Sequence, residues 1–327
     1  MLREDFVRLF QEDLAKKFPH GYQGWWHKFI FHFSDISNIT SILNSGKLYS
    51  RNKAISLNLM NNDNASDEVI GNTGLDAKDF VRFYFGTGTP TQFHNEGFKA
   101  KDKIKNNAHC PLPIFLLFDF IKLLSKDDTH FSSGNIAATN ADLYSDITKL
   151  NSLEFEYIYH RSYIQDPLNI RHIVYCRHAE VLIPNELNIY DYLLYICVRS
   201  QAEKETLLYY LDIDIIKKLK DKLLVRSNGL FEPHRLYVEN VKFINGRIEI
   251  GFSMPTTDKY VMKATVINKD TGKKWEHDTK DEISLESKNI GITLKEEYIG
   301  SVIEFKLEID GNVAYHNNLD NEDILVF

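Results

Sequence analysis

The spacing of apolar residues predicts both helices and strands in the first part of the chain. Residues 3–17 carry apolar side chains three and four positions apart, which indicates an amphipathic helix. The run FIFHF at 29–33 predicts a buried strand, and 36–45 predicts a helix that ends at Gly46. Further strands are predicted over 47–52, 80–85, 112–118, 128–132, 153–159, 176–183 and 193–199, and helices near 118–125, 140–149 and 201–212. Because these elements do not alternate regularly, the pattern favours an α+β fold over a doubly wound sheet.

The C-terminal part of the chain has a different pattern. From Arg235 onward, short runs of alternating apolar and polar residues replace the helical spacing, and turn sequences such as Asn245-Gly246 separate them. About seven such runs are typical of an all-β antiparallel sandwich of the immunoglobulin-like kind. The sequence therefore predicts two domains, residues 1–232 and residues 233–327.

The charge of the chain is unevenly divided between these two parts. The 327 residues include 39 basic and 46 acidic side chains, a net charge of −7. Residues 235–327 hold 12 of the basic and 17 of the acidic residues, so most of the negative charge lies in the second domain. The first domain is close to neutral, and a local basic site for nucleic acid remains compatible with the composition.

Cysteine use and hydropathy favour a soluble protein of the cytoplasm. Cys110, Cys176 and Cys197 are far apart and form no CxxC pair, which argues against a disulfide framework or a zinc knuckle. The charged N-terminus lacks the apolar core of a secretory signal, and no apolar run reaches the ~18–20 residues of a membrane helix. The histidines are scattered without metal-ligand spacing, so we expect no metal site and no membrane partner.

Four segments are harder to explain by packing alone. In chain order they are FHFSD at 31–35 with LYSRN at 48–52, FVRFYF at 80–85 with TPTQFHNEG at 89–97, HFSSGN at 130–135, and RHAEVLIP at 177–184. Together they resemble the DarT family of bacterial ADP-ribosyltransferases, which use NAD to modify bases in DNA and are paired with a macrodomain antitoxin. The resemblance covers roughly residues 25–230. It implies an ADP-ribosyltransferase-like core, a split mixed β-sheet with flanking helices.

Glu180 is the residue to which the resemblance assigns the central catalytic role. The pattern places it mid-strand among apolar neighbours, where an unpaired carboxylate is costly. The matching family glutamate binds the 2′-hydroxyl of the nicotinamide ribose and stabilises the cation that forms as nicotinamide leaves. The same carboxylate can accept a proton from the acceptor base. The alternative is a glutamate on an exposed edge strand or in an ion pair with Arg177.

The resemblance also implies a set of contacts to NAD as co-substrate. His32 matches a family residue that hydrogen-bonds the ribose, a task that suits an imidazole, although a lone histidine here also fits a core position. The family carries an arginine in the loop before the aromatic strand, whereas residues 52–79 contain none, and Arg51 is expected to take that catalytic place beside His32 and Glu180. The remaining expected NAD contacts are Ser34 and Asn38 to the adenosine half, Tyr84 to the nicotinamide ring, and Arg51 and Arg82 to the pyrophosphate.

A basic and aromatic segment is the candidate for nucleic-acid binding. Phe93 and His94 supply faces on which an unpaired base stacks, and the lysines that follow supply charge for phosphates. These lysines are Lys99, Lys101 and Lys103. A solvated loop is the alternative explanation of the lysines.

The leading hypothesis is transfer of ADP-ribose from NAD to a nucleobase of single-stranded DNA by a bacterial toxin or anti-phage effector. The enzymatic alternative moves the target to RNA or protein. A non-catalytic module that binds a nucleotide is the alternative from another class. The expected partners are single-stranded DNA, a macrodomain antitoxin that reverses the modification, and a phage or host protein docked on the second domain.

Overall fold

The structure is a computed structural model of the chain. It describes residues 1–21, 23–59, 76–105, 108–136, 141–162, 164, 167–226 and 229–320. Residues 60–75, which fall within the loop expected before the strand at 80–85, lie outside the described residues.

Helices and short strands make up the first part of the described chain. Helices α1 to α10 span Arg3–Lys17, Gln23–Trp26, Ile36–Ser45, Arg51–Ser56, Pro90–Asn95, Phe120–Leu124, Phe155–Ile158, Ile170–Cys176, Gln201–Tyr210 and Ile213–Leu219. Strands β1 to β10 span Phe29–Asp35, Lys47–Tyr49, Phe80–Tyr84, Pro113–Asp119, His130–Ser132, Leu143–Tyr144, Glu180–Pro184, Glu186–Asn188, Leu193–Val198 and Leu223–Val225.

Up to residue 320, where the described part of the chain ends, the elements that follow are strands and one 3₁₀ turn. Strands β11 to β19 span Val238–Ile244, Arg247–Phe252, Thr256–Tyr260, Met262–Asn268, Lys274–Asp278, Ile283–Leu285, Asn289–Thr293, Ile303–Ile309 and Asn312–Leu319.

Helix α3 has the bounds that the sequence predicted, because residues at both of its ends cap it. The Asp35 carboxylate accepts a hydrogen bond from the backbone N–H of Ser37 and so caps the N-terminus. Gly46 ends the helix in a left-handed conformation with φ of 71°. A Cβ at Gly46 would also overlap the ring of Tyr190, so both the backbone and the packing require glycine there.

An eight-stranded mixed sheet forms the centre of the first part, in the order β10-β9-β4-β1-β3-β7-β5-β6. The pair β9–β10 is parallel and the other pairs are antiparallel. Helices flank this sheet, and its core is rich in fully buried phenylalanines such as Phe31, Phe83 and Phe115. The predicted α+β class with a mixed sheet is confirmed.

The sheet is nearly divided between β1 and β3. Strand β1 pairs with β4 along its entire length, and β3 pairs with β7 along its own. Between β1 and β3, however, the register is limited to the pair Phe31 and Tyr84. The two halves of the sheet are therefore joined here by a single residue pair, whereas the neighbouring strands are paired along their length.

The C-terminal part consists of antiparallel sheets. Their strand orders are β11-β12-β17, β15-β14-β18-β19 and β13-β16. The prediction of an all-β antiparallel region is confirmed, although β13 and β15 were not foreseen. Both carry mostly half-exposed or exposed residues, so their apolar alternation is weak.

Buried apolar side chains form two clusters, one in each part of the chain. The first runs from Val7 to Phe231, and the second runs from Leu236 to Leu319 with Phe98 and Ala202 added from the first part. This division agrees with a domain boundary near residue 232, which stays a prediction. No helix in the described part of the chain is long and apolar enough to cross a membrane.

Four predicted elements differ from the structure. The strand expected over 47–52 ends at Tyr49, because Ser50 caps the helix α4 that starts at Arg51. Residues 153–159 were expected as a strand, but they contain α7, because Phe155, Ile158 and Tyr159 are buried at helical spacing. Within 141–149, a helix was expected and the structure has β6 and a 3₁₀ turn that Asp146 caps. The strand expected over 176–183 starts only at Glu180, since α8 continues to Cys176.

Candidate active site

Glu180 is fully buried and lies at the first residue of β7, not mid-strand as expected. Its strand is an interior one, between β3 and β5. The ion-pair partner is Arg82 of β3, whose Nε donates to Glu180 Oε1 at 2.8 Å. Burial raises the pKa of Glu180, while the charge of Arg82 and a hydrogen bond from the Ile136 N–H oppose this rise.

The segment HFSSGN at 130–135 surrounds this ion pair. The Ser132 hydroxyl oxygen accepts from the Glu180 N–H at 3.2 Å, and Asn135 Oδ1 accepts from Arg82 Nη2 at 2.8 Å. The Ile136 N–H donates to Glu180 Oε2 at 3.0 Å. These residues were not among the predicted site residues, although they belong to or adjoin one of the four quoted segments.

His32 reaches across the gap between β1 and β3. Its Nδ1 lies 3.0 Å from the backbone carbonyl oxygen of Arg82. Since a carbonyl oxygen only accepts, Nδ1 carries the hydrogen, and Nε2 is left as an acceptor in the neutral ring. Burial lowers the pKa of His32, so the neutral form dominates at pH 7. Among the described residues, Nε2 has no hydrogen-bond partner.

Tyr84 lies opposite Glu180 in the register of β3 and β7. Its ring stacks on Phe33 with centroids 6.4 Å apart. Burial, together with the nearby Glu180 charge, raises the pKa of the Tyr84 phenol to about 12, and a hydrogen bond with Thr91 opposes this rise. The phenol therefore stays protonated beside the carboxylate.

The other residues expected to contact NAD lie around β1 and β2. Ser34 is buried near the end of β1, and its hydroxyl oxygen accepts from Asn38 Nδ2 at 3.1 Å. Arg51 is the first residue of α4, directly after Ser50, whose hydroxyl caps that helix. Arg82 was also expected to contact the pyrophosphate. Its guanidinium instead forms an ion pair with Glu180.

The family model described as "ssDNA thymidine ADP-ribosyltransferase, DarT" matches residues 31–228. The chain belongs to the DarT family. DarT proteins are NAD-dependent ADP-ribosyltransferases, and the resemblance found in the sequence is thereby confirmed. The family match includes Glu180, His32 and the split between β1 and β3, and it ends shortly before the predicted second domain.

A solved DarT structure with a TM-score of 0.50 has the same fold. Thermus sp. 2.9 DarT in complex with ADP-ribosylated ssDNA matches with 19% identity and a TM-score of 0.50, over 62% of this chain and 96% of that chain. The same protein in complex with carba-NAD+ matches with 19% identity and a TM-score of 0.47, over 62% and 98% of the two chains. No curated protein matches the chain. More than a third of this chain lies outside the DarT match.

The predicted nucleic-acid residues of the DarT region lie on and after α5. The Phe93 side chain is 52% exposed, with the Arg235 guanidinium 5.2 Å from its ring centroid. Lys101 and Lys103 form ion pairs with acidic residues of the C-terminal sheets, and these compete with a phosphate for both lysines. Burial and neighbouring cations, Arg235 first, lower the pKa of Lys99 to about 8. The ion-pair partners are Asp310 and Glu282 for Lys101, and Asp258 for Lys103.

A buried polar network joins α5 of the DarT region to the chain beyond it. Gln92 Nε2 donates to Glu96 Oε2 at 2.6 Å and to the Leu230 carbonyl oxygen at 2.8 Å. The Glu232 N–H donates to both carboxylate oxygens of Glu96. Burial raises the pKa of Glu96 to about 7, against the lowering effect of the Arg199 charge. Sequence reasoning missed this network, although Gln92 and Glu96 belong to the TPTQFHNEG segment.

A possible metal-ligand group also went unnoticed in the sequence. The ligand atoms of Glu154, His172 and Cys176 lie within 4.8 Å of one another, in the part of the chain that the structure describes. His172 and Cys176 are one helical turn apart on α8, and His172 Nε2 lies 2.8 Å from Glu154 Oε1. Three protein donors are one fewer than a closed structural zinc site uses.

Proposed function

We propose that this chain transfers ADP-ribose from NAD to a thymidine base in single-stranded DNA. The observation that carries the proposal is the buried Glu180 carboxylate, which forms an ion pair with Arg82 beside the split between β1 and β3. The description of the DarT family and the complex of Thermus DarT with ADP-ribosylated ssDNA support the choice of acceptor. A buried carboxylate whose pKa is shifted by burial and by a specific charge partner is typical of a functional site.

The residues of the split fit a substrate with a ribose and a flat, positively charged ring. Glu180 accepts hydrogen bonds from a ribose hydroxyl and stabilises positive charge that develops on the ribose. His32 offers Nε2 as an acceptor, and Tyr84 offers an aromatic face. Ser34, Asn38 and Arg51 remain the proposed contacts to the rest of NAD. The C1′–nicotinamide bond breaks with its electron pair leaving on nicotinamide, and a thymine atom forms the new bond to C1′ and loses a proton.

The direct test is incubation of the purified chain with NAD and oligonucleotides that contain a single thymidine. We expect a mass gain of one ADP-ribose and release of one nicotinamide per modified strand. Strands in which thymidine is replaced by each other base, an RNA of the same sequence and a protein panel identify other acceptors. Glu180→Gln keeps the size of the side chain and should abolish transfer, and full activity in this variant would contradict the assignment.

The biological role and the partners form a further part of the proposal. A modification of bases in the cell's own DNA blocks replication, which suits a toxin or an anti-phage effector that a macrodomain antitoxin counteracts. The second domain, residues 233–327, would dock a phage or host protein. Expression in bacteria should arrest growth, Glu180→Gln should not, and co-expression of a macrodomain hydrolase that removes ADP-ribose from thymidine should restore growth.

A further inference from the structure

A cavity of about 680 Å³ lies between α5 and the segment that leads into the C-terminal sheets. Its volume is in the range of cavities that hold small organic ligands. The side chains that matter for its chemistry are Phe93, His94, Arg161, Arg177, Arg199 and Tyr237. Tyr237 lies outside the part of the chain that matches the DarT family.

Guanidinium groups give this cavity its charge. Arg161 Nη1 lies 3.0 Å from Glu232 Oε1, and Arg177 Nη2 lies 2.6 Å from His160 Nδ1. Arg199 is almost fully buried, and its Nη1 has no hydrogen-bond partner among the described residues; it lies 3.9 Å from Glu96 Oε1, beyond hydrogen-bond distance. Buried guanidinium donors without partners are costly. The charge of Arg199 is balanced by the buried Glu203, whose Oε1 accepts from Arg199 Nε at 2.7 Å. Arg161 and Arg177 remain against one lining carboxylate, Glu232, so an anion is the expected ligand.

The same walls carry aromatic faces. The half-exposed ring of Phe93 lies at the cavity, and the ring of Tyr237 lies 4.7 Å from the Arg199 guanidinium. Aromatic faces beside guanidinium groups are how proteins hold single-stranded nucleic acid, with bases stacked and phosphates paired. The ligand class that fits both features is a nucleoside phosphate.

Two connections along the chain link the cavity to the catalytic residues. Arg177 precedes Glu180 by three positions, and Thr91, which hydrogen-bonds the Tyr84 phenol, lies on the same helix as Phe93. None of the residues proposed to bind NAD lines the cavity. A nucleotide of the DNA strand therefore fits this position better than the adenylate half of NAD.

The segment 229–238 is fixed against the catalytic core and forms one wall. The Thr87 hydroxyl donates to the Gly229 carbonyl oxygen at 2.7 Å, and the Ser200 hydroxyl donates to the Val238 carbonyl oxygen at 2.6 Å. On the opposite wall, Arg161 lies where a Cβ on residue 88 would be, so Gly88 is required for its placement. The cavity is thus built into the fold from both sides.

We propose that this cavity binds a nucleotide that flanks the modified thymidine, with Tyr237 stacking on its base and Arg161 and Arg177 pairing with its phosphate. The inference rests on the proposed function and deepens it. It gives the chain beyond the DarT region a part in DNA recognition, so that the segment entering the second domain sets which neighbours of a thymidine are accepted.

The test measures binding of short labelled single strands to the full chain in the Glu180→Gln background, so that no modification occurs. Tyr237→Ala should weaken binding about 5- to 150-fold, and Tyr237→Phe should restore it, because stacking needs only the ring. Arg161→Ala should weaken binding and reduce the slope of log Kd against log salt by about 0.7, the value for one phosphate contact on a single strand. Arg8→Ala, which removes an exposed guanidinium on α1, is the matched control and should leave both unchanged.

A second measurement locates the nucleotide. Strands with an abasic site at each position beside the thymidine are compared for the Glu180→Gln protein with and without Tyr237→Ala. At one position, an abasic site should weaken binding to the protein that has Tyr237. The same abasic site should not weaken binding to the Tyr237→Ala protein beyond the loss that Tyr237→Ala itself causes. Additive losses at every position would overturn the proposal.

The third measurement separates this inference from the proposed function. In the active enzyme, which retains Glu180, Tyr237→Ala and Arg161→Ala should each raise the KM for the oligonucleotide and leave the KM for NAD unchanged. A raised KM for NAD with unaltered DNA binding would assign the cavity to NAD and overturn the inference. If the chain modifies no DNA but the binding differences hold, the proposed reaction fails and the cavity assignment stands.

Discussion

Arg82 and Glu180 form a diagonal pair across β3 and β7, with Arg82 Nε and Nη2 2.8 and 2.6 Å from Glu180 Oε1. The carboxylate has no exposed surface, while the arginine side chain is 29% exposed. Burial alone would favour the protonated acid, and the guanidinium is the main opposing influence. The ion pair therefore sets how far the pKa of Glu180 rises above the ordinary value for glutamate.

Arg82→Ala should shift the acidic limb of the pH–rate profile to higher pH. Arg82 lowers the pKa of Glu180, so its removal raises that pKa, and the ionised, active carboxylate is lost at a higher pH. Breaking a buried pair also costs up to about 3–5 kcal/mol of stability. The measurement is kcat/KM for oligonucleotide modification between pH 5 and 9. Arg82→Lys keeps the charge and should lie close to the wild type, whereas an acidic limb unmoved in Arg82→Ala would refute this role.

His32 should remain neutral with its hydrogen on Nδ1. Burial lowers the pKa of its ring, and the Arg82 carbonyl oxygen accepts from Nδ1. Nitrogen-15 spectra recorded at pH 6.5 should show this tautomer, in a signal that disappears in His32→Ala. If Nε2 binds the ribose of NAD, the same variant should raise the KM for NAD about tenfold, as expected for one lost hydrogen bond of about 1–1.5 kcal/mol. A charged ring at this pH is the result that would contradict the prediction.

Gly134→Ala should disturb the catalytic site around Glu180, although residue 134 itself is not proposed to contact a substrate. An added Cβ would lie 2.4 Å from the Tyr175 ring, which packs over the glycine from α8. We expect a loss of about 1–3 kcal/mol of stability, typical of overpacking, and lower activity, because α8 leads into Glu180. Thermal denaturation and transfer assays check both effects.

A second substitution distinguishes a steric effect from other causes. Tyr175→Ala in the Gly134→Ala background removes the ring that the new methyl group meets. The two changes should then be non-additive, with the double variant more stable than the sum of the single losses predicts. Additive losses would mean that contact with Tyr175 is not the reason.

The ion pair of Glu180 illustrates what sequence patterns foretell and what they do not. Local residue types predicted the strand and its buried carboxylate, whereas the catalytic role was implied by the family resemblance and stays a prediction. An ion pair with Arg177, three positions away, was the alternative to a catalytic role, but the partner of Glu180 is Arg82, 98 positions away. Which cation meets a buried carboxylate depends on strand register, here Tyr84 opposite Glu180, and register arises from pairing between distant segments.

Local ambiguity explains the elements that were mispredicted. In LEFEYIY at 153–159, apolar residues fit both a period of two and a helical period, so the pattern alone cannot choose. Burial of Phe155, Ile158 and Tyr159 decides for the helix α7. The cavity beside α5 could not be foreseen either, because its walls come from segments up to 149 positions apart, from Gly88 to Tyr237.

Removal of residues 233–327 should destabilise the catalytic part of the chain. Helix α9 packs against the C-terminal sheet, where the Tyr315 hydroxyl donates to Glu205 Oε2 at 2.7 Å and the His316 N–H donates to Thr206 Oγ1 at 3.1 Å. The truncated protein would expose this surface, so we expect a lower Tm and stronger binding of a hydrophobic dye. An equal Tm for the truncated and full-length proteins would show that the two parts are energetically independent.

Glu96→Gln should change how stability depends on pH. The pKa of Glu96 in the folded protein is about 7, above its ordinary value of 4.5, so between these values the folded state binds a proton that the unfolded state has released. Stability from this group is therefore present below pH 4.5 and is lost as the pH rises towards 7, by roughly 3 to 4 kcal/mol at most, since one unit of pKa corresponds to about 1.4 kcal/mol. Urea denaturation at pH 5, 6, 7 and 8 should show this loss in the wild type and not in Glu96→Gln, whose amide cannot titrate.

A second variant changes the hydrogen bonds to Glu96. Because Gln92 and the Glu232 N–H both donate to Glu96, Gln92→Ala should raise the pKa of Glu96 further and move the loss of stability to higher pH. Parallel curves for wild type and Glu96→Gln would mean that Glu96 has the same pKa in the folded and unfolded states.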